Sequence, residues 1–196
     1  DNGGDIVVGV VTRDFRDNGY DLYNSAVTVG SAPRQRYSKA HLVPFGEFVP
    51  PLFGWVYQWL SMPMSGFSRG ATRQPPLAIA GTQVAMNICY EDTFGEGIIT
   101  ALPEAEVLVN ITNVAWFGRS IAAAQHLQFS QLRAIETGRY MLRATNTGMT
   151  AIVNPRGRVE RVLPPFGEDA LVGEVSGYTG ATPYVRWGNA AALLLV

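Results

Sequence analysis

Short apolar runs separated by glycine, proline and acidic or amide residues recur along this chain, and most are too short to be helices. Runs at 6–11, 24–29, 35–38, 77–80, 83–88, 107–112, 140–145, 150–153, 159–163 and 170–175 are rich in β-branched residues and predict strands. Asn154-Pro155-Arg156-Gly157 has proline at the second turn position and glycine at the fourth, which predicts a type I turn joining 150–153 to 159–163. Helical signals are fewer. One helix is predicted over about 93–102 and a longer one over 120–137, where Leu132 and Ile135 fall at helical spacing and Gly138 supplies a stop. The order hairpin, strand, helix, strand, helix, strand, hairpin predicts a layered α/β protein with a mixed sheet faced by helices.

Two segments break this pattern. Between 50 and 70, Phe53, Trp55, Val56, Tyr57, Trp59, Leu60, Met62, Met64 and Phe67 crowd a stretch interrupted by prolines and glycines. It reads equally as an adaptable apolar surface at a ligand or membrane interface and as a short buried helix. The tail 188–196 is apolar but far shorter than the roughly 20 residues that cross a bilayer. It fits either the start of a membrane helix or an ordinary terminal strand or core helix. At the other end, Asp1-Asn2-Gly3-Gly4-Asp5 is an acidic turn leading into a strand, unlike a secretory signal, and reads as the middle of a domain.

Composition narrows the function classes. With 196 residues, 47% of them hydrophobic, and a net charge of -1, the chain can bury one sizeable core and lacks the basic bias of a nucleic-acid binder. A single cysteine forms no internal disulfide and leaves the compartment open.

That cysteine is the main chemical candidate. Cys89 ends the run Val84-Ala85-Met86-Asn87-Ile88 and precedes the polar, helix-starting Tyr90-Glu91-Asp92-Thr93, where helix N-terminal amides favour an anion. A cysteine nucleophile also needs a proton acceptor, a group for the oxyanion and a dry pocket; Lys39, Glu47 and Glu91 are the candidates by type. Lys39 is the only lysine among fifteen basic residues, and unlike arginine it can give up a proton. His41 and His126 are the only histidines; either could form a dyad with the thiol, but a structural hydrogen-bonding role is favoured for both. One cysteine and two scattered histidines show no metal-ligand spacing, and neither a metal nor a cofactor is expected. Asn110-Ile111-Thr112 matches a glycosylation acceptor but lies inside an apolar strand and is set aside.

Several longer blocks carry a resemblance. Tyr37-Ser38-Lys39-Ala40-His41-Leu42-Val43-Pro44-Phe45-Gly46-Glu47-Phe48-Val49-Pro50, Ile88-Cys89-Tyr90-Glu91, the stretch 113–118 ending Ala115-Trp116-Phe117-Gly118, and the tract 125–148 resemble, in order, the bacterial apolipoprotein N-acyltransferases, membrane-embedded members of the nitrilase superfamily. The resemblance implies an αββα sandwich whose mixed sheets are faced by helices, lacking here the first strand–helix portion. It implies a nitrilase-like catalytic domain over 1–187 and the start of a truncated membrane helix over 188–196.

The same resemblance implies a Glu-Lys-Cys triad. Cys89 matches the nucleophile, Lys39 the lysine, and Glu47 a second glutamate that supports the lysine and substrate geometry. Tyr90, Glu91 and Trp116 fall at substrate-binding positions. The general-base glutamate belongs upstream of the residues that resemble Asp1 onward, so these 196 residues alone are expected to be inactive. Val114 stands where the family commonly has an acidic residue.

The implied reaction moves an acyl chain from a phospholipid to a cysteine thioester, then to the α-amine of a diacylglyceryl-modified lipoprotein. The implied setting is the periplasmic side of a bacterial inner membrane, with phospholipid, lipoprotein and membrane as partners and no nucleic acid. A soluble amidase or nitrilase, and a non-catalytic module of the same fold, are the alternatives.

Overall fold

The computed structural model describes residues 3–50 and 66–194. The aromatic segment 50–70 therefore lies largely outside the described residues, as do Trp55 and Trp59.

Strands β1 (Asp5–Arg16) and β2 (Gly19–Gly30) form a long antiparallel hairpin, and β3 (Arg36–Ser38) pairs antiparallel with β2. The hairpin outruns the apolar runs at 6–11 and 24–29 because its far half is joined by polar pairs. Arg36 meets Asp14 with both guanidinium nitrogens at 2.6 and 2.8 Å, Arg16 meets Asp21 at 2.6 Å, and Arg13 lies over the Tyr20 ring at 4.4 Å.

The second sheet runs β4-β5-β6-β7-β8-β9, comprising β4 (Leu77–Ile79), β5 (Thr82–Ile88), β6 (Val107–Thr112), β7 (Tyr140–Thr145), β8 (Ala151–Val153) and β9 (Val159–Val162). Its centre, β5, β6 and β7, is parallel, and the flanking pairs are antiparallel. Parallel strands are covered on both faces, and β5 shows it: Val84, Met86 and Ile88 enter one core with Ala26 and Leu77, whereas Ala85 enters another with Leu108, Leu127 and Ala134. The first core lies between the sheets. The second lies between the larger sheet and a helix. The turn between β8 and β9 closes as expected, with the Gly157 amide donating to the Asn154 carbonyl at 2.8 Å.

The expected helix at 93–102 is broken into a 3-10 turn (Cys89–Thr93), α1 (Gly95–Ile98) and a second 3-10 turn (Ile99–Ala101), in keeping with the poor helix propensity of Gly95 and Gly97. The long helix, α2 (Ala122–Thr137), ends at Gly138, whose φ of 65° places it in the left-handed region. Its inward stripe is His126, Leu127, Ser130, Arg133, Ala134 and Thr137. Leu132 and Ile135, the apolar markers in the sequence, lie on its outer side, because polar side chains occupy the inner one. No strand forms at 170–175: Val172 is 76% exposed, and an apolar residue facing solvent gives no reason to pair.

Three of the four expected layers are thus present among the described residues: the small sheet, the large sheet and the helix. The outer face of the small sheet leaves Ile6, Val8 and Val10 exposed. Two short helices, α3 (Pro183–Trp187) and α4 (Ala190–Leu193), end the described chain, and among the described residues no helix is long and apolar enough to cross a membrane.

Candidate active site

Cys89 sits where β5 meets its 3-10 turn. Continuing the strand's alternation would send its side chain toward the helix layer, but a φ of 57° turns it back, so Cys89 joins Ile88 against the inter-sheet core. For a residue with a Cβ this backbone costs on the order of 1–3 kcal/mol and persists only where its surroundings impose it. The Asn110 side-chain amide holds the Cys89 carbonyl at 2.9 Å, and the thiol is free and half-buried.

Lys39 comes from the other sheet. Its amide donates to the Asn24 carbonyl at 2.8 Å, directly after β3, and its ammonium is 1% exposed and 2.7 Å from Glu47 Oε2. Glu47 reaches it because the turn from Val43 curls back: the Val43 amide donates to Oε2 at 2.8 Å, and Asn24 Nδ2 donates to Oε1 at 2.8 Å. The lysine is thereby a charge held at a fixed point rather than a mobile surface group.

Glu91 joins the two halves. Its Oε1 accepts from the amides of Ala40 and His41 at 2.8 and 3.0 Å, next to Lys39, and its Oε2 accepts from the Ile88 amide at 2.8 Å, next to Cys89, and from Tyr37 Oη at 3.0 Å. Burial and the Glu91 carboxylate push the Tyr37 phenol far above its usual range, so it stays a donor. Both Glu91 oxygens meet protein donors. This brace was invisible in the sequence, where Glu91 looked like a group facing substrate.

Behind the turn lies a second polar cluster. Arg143 Nη1 stands 2.9 Å from Asp92 Oδ2, 3.1 Å from Asn110 Oδ1 and 2.9 Å from Ser130 Oγ, and Arg143 Nη2 donates to His126 Nδ1 at 2.8 Å. Burial raises Asp92 to about 6, with Arg143 and Ser130 opposing it, and leaves it ionised at neutral pH. Burial, then Arg143 and Lys39, lower His126 to about 4. The imidazole is therefore neutral with its proton on Nε2, and its 3.7 Å approach to Asp92 is not an ion pair. The sequence did carry one signal for this cluster: an arginine at position 143 of an otherwise apolar strand, on the same face as Met141.

Tyr90 packs edge-on to Phe94, whose ring also stacks on His41 at 4.4 Å. Trp116 lies in the turn after β6, 65% exposed, beside exposed Phe117, and Ile121 just beyond is exposed too. Val114 is buried, its amide held by Asn146 Oδ1 at 3.3 Å. Among the described residues no group of three or more histidine, cysteine or carboxylate side chains is placed to hold a metal ion.

A half-buried thiol on a left-handed strand-to-helix turn and a buried lysine–glutamate pair are tied to one carboxylate, Glu91, which supplies the parts that covalent acyl chemistry needs. The model of the carbon-nitrogen hydrolase family matches residues 2–184. The chain belongs to the carbon-nitrogen hydrolase family. Within it, the chain is 56% identical over 98% of its length to an apolipoprotein N-acyltransferase from Nitrosomonas europaea, of which it spans 39%. Among solved structures of the carbon-nitrogen hydrolase fold, it resembles the C. elegans NitFhit protein, with a TM-score of 0.62, 18% identity, and 82% of this chain and 40% of that one covered. It also resembles an amidase from Nesterenkonia sp. AN1 with acrylamide added at its active-site cysteine, with a TM-score of 0.57, 19% identity, and 83% and 60% covered. These two likenesses concern the fold.

Proposed function

We propose that this chain is the catalytic region of an apolipoprotein N-acyltransferase, with Cys89 as nucleophile and Lys39 as the cation at the reacting carbonyl. The observation that carries this reading is the Glu91 brace, a single buried carboxylate bonded to the backbone beside Lys39 and beside Cys89. Two elements from different sheets are registered against each other by one group, as a shared reaction centre requires. The identity to the Nitrosomonas europaea relative supplies the substrate class.

In the first step the Cys89 sulfur attacks the acyl carbonyl of a phospholipid ester, and the Lys39 ammonium stabilises the oxyanion. The ester C–O bond breaks, the lysophospholipid alkoxide takes up a proton, and a thioester remains on Cys89. The thiol proton passes to a general base, which the family resemblance assigns to a glutamate upstream of Asp1. In the second step the α-amine of a diacylglyceryl-modified lipoprotein attacks the thioester. The C–S bond breaks, an amide forms, the amine loses a proton, and the thiolate returns.

Glu47 holds Lys39 in place, and Glu91 acts as a brace rather than as a substrate ligand. Exposed Trp116 and Phe117, with Tyr90 nearer the thiol, offer apolar surface to a fatty chain. Residues 1–187 would form the catalytic domain, on the periplasmic side of a bacterial inner membrane, and 188–196 the beginning of a membrane helix.

The test uses the full-length protein with phospholipid. Intact mass should show a fatty-acyl adduct on wild type and none on Cys89→Ala. No adduct, together with ammonia release from small amides, would replace this reading with the amidase alternative.

A further inference from the structure

The guanidinium of Arg143 takes no part in the steps above, yet it is the largest fully buried side chain among the described residues. It lies on the helix side of the large sheet, away from the inter-sheet core where the thiol points. Its contacts converge on the nucleophile turn. One runs directly to Asp92, which belongs to the same 3-10 turn as Cys89, at 2.9 Å. The other runs to Asn110 Oδ1 at 3.1 Å, and the amide nitrogen of that same side chain holds the Cys89 carbonyl at 2.9 Å. Ser130 donates to Asp92 at 3.0 Å and so anchors the turn to α2.

We propose that Arg143 is a positioning residue for the nucleophile, fixing the Cys89–Thr93 turn from behind at Asp92 directly and at the Cys89 carbonyl through Asn110. The inference deepens the acyl-transfer reading and rests on it.

Three observations support it. First, Cys89 holds a left-handed backbone that only a constraining environment maintains, and the Asn110 amide supplies that constraint on its carbonyl. Secondly, a buried ion pair is a weak device for stability, since well-packed apolar side chains of similar volume do as well or better. Among the described residues the pair also leaves Arg143 Nε and Asp92 Oδ1 without a hydrogen-bond partner, so the cluster is not optimised as a stabilising network. Thirdly, Arg143 lies within electrostatic reach of the Cys89 thiol, as a residue acting on that turn must. The groups facing the guanidinium are Asp92 from the turn, Asn110 from β6, and His126 and Ser130 from α2.

The test separates geometry from folding and from substrate. In the full-length protein, Arg143→Lys removes the fork that reaches Asp92 and Asn110 together. Asn110→Asp keeps an oxygen toward Arg143 but turns an acceptor toward the Cys89 carbonyl. Two rates are followed beside the melting curve: alkylation of the Cys89 peptide by iodoacetamide, which needs no lipid, and acyl-adduct formation from phospholipid.

Both variants should melt cooperatively while both rates fall, acyl-adduct formation by about 100-fold, the scale of a displacement of about 1 Å at a group that must meet a bound substrate. Wild-type rates in Asn110→Asp would overturn the proposal. So would loss of cooperative melting in both variants, since the cluster would then be a folding element. If wild type forms no acyl adduct but alkylation slows in both variants, the acyl-transfer reading fails and the positioning role stands.

Discussion

Lys39 Nζ and Glu47 Oε2 are 2.7 Å apart, with the lysine side chain 1% exposed and the glutamate 12%. Among the described residues Glu47 is the one acceptor that meets this ammonium, whereas Glu47 itself also draws on Asn24 and Val43. The dependence is therefore unequal. Removing one member of a buried pair costs about 3–5 kcal/mol because the other charge is stranded. Glu47→Gln should lie in that range. Lys39→Met should cost less, since Glu47 keeps two donors and some contact with water. The Lys39→Met/Glu47→Gln double variant should be more stable than the sum of the single losses allows. Urea denaturation measures all three, and additive losses would show that the two groups are not coupled.

Glu91→Gln tests the brace between the two halves of the site. Glutamine keeps one oxygen and presents an NH2 to two of the four donors now satisfied, leaving buried N–H or O–H groups unpaired at about 1–3 kcal/mol each. The variant should lose about 2 kcal/mol or more and nearly all acyl-adduct formation, with protection from amide exchange falling at Ile88, Ala40 and His41 together. Loss of protection at only one of the two ends would show that Glu91 does not join them.

Much of this fold was legible because strands announce themselves by apolar alternation and by glycine and proline at their ends. The runs at 83–88, 107–112 and 140–145 became the parallel centre of the large sheet. What escaped was structure held by polar groups. The far half of the first hairpin is fastened by Arg36–Asp14 and Arg16–Asp21, and the inner stripe of α2 is mostly polar, so an apolar pattern found neither. The site divides in the same way. Cys89 and Lys39 stood out as the only residues of their types, but nothing local to Glu91, Asp92, Asn110 or Arg143 says which backbone each will grasp. The contacts of Asn110 with Cys89, Asp92 with Arg143 and Glu91 with Tyr37 join residues 21, 51 and 54 positions apart.

The Asp92–Arg143–His126 cluster predicts two opposing pH dependences. Asp92 is raised to about 6 in the folded chain from an ordinary 3.8, so the folded state binds the extra proton between those values and gains stability as pH falls through 6. His126 is lowered to about 4 from 6.5, so the unfolded state binds the extra proton and stability is lost as pH falls from 6.5 toward 4. In wild type the two slopes largely cancel. Asp92→Asn should expose the histidine slope, with a melting temperature that drops on acidification relative to wild type. His126→Gln should expose the opposite slope. Melting curves from pH 7 to 4 decide it, and parallel profiles for all three proteins would show that neither group is shifted.

Gly70 shows how little room surrounds the lysine. Its amide donates to the Lys39 carbonyl at 2.9 Å, and a Cβ built on it would fall inside the Ser38 carbonyl oxygen. Backbone cannot yield as a flexible side chain can, so Gly70→Ala must push the 66–70 segment or the Ser38–Lys39 backbone outward. Either movement separates the Lys39 ammonium from Glu47, and the Ala40 and His41 amides that follow it from Glu91. The expected result is a folded protein destabilised by about 1–3 kcal/mol, as for other overpacked sites, with acyl-adduct formation reduced far more than that loss explains. Gly81→Ala is the control: among the described residues no atom beyond its chain neighbours lies within 4 Å of its Cβ, and its φ of 81° strains an alanine there without any clash. If both variants lose stability alike and keep wild-type adduct formation, crowding behind Lys39 has no bearing on the reaction.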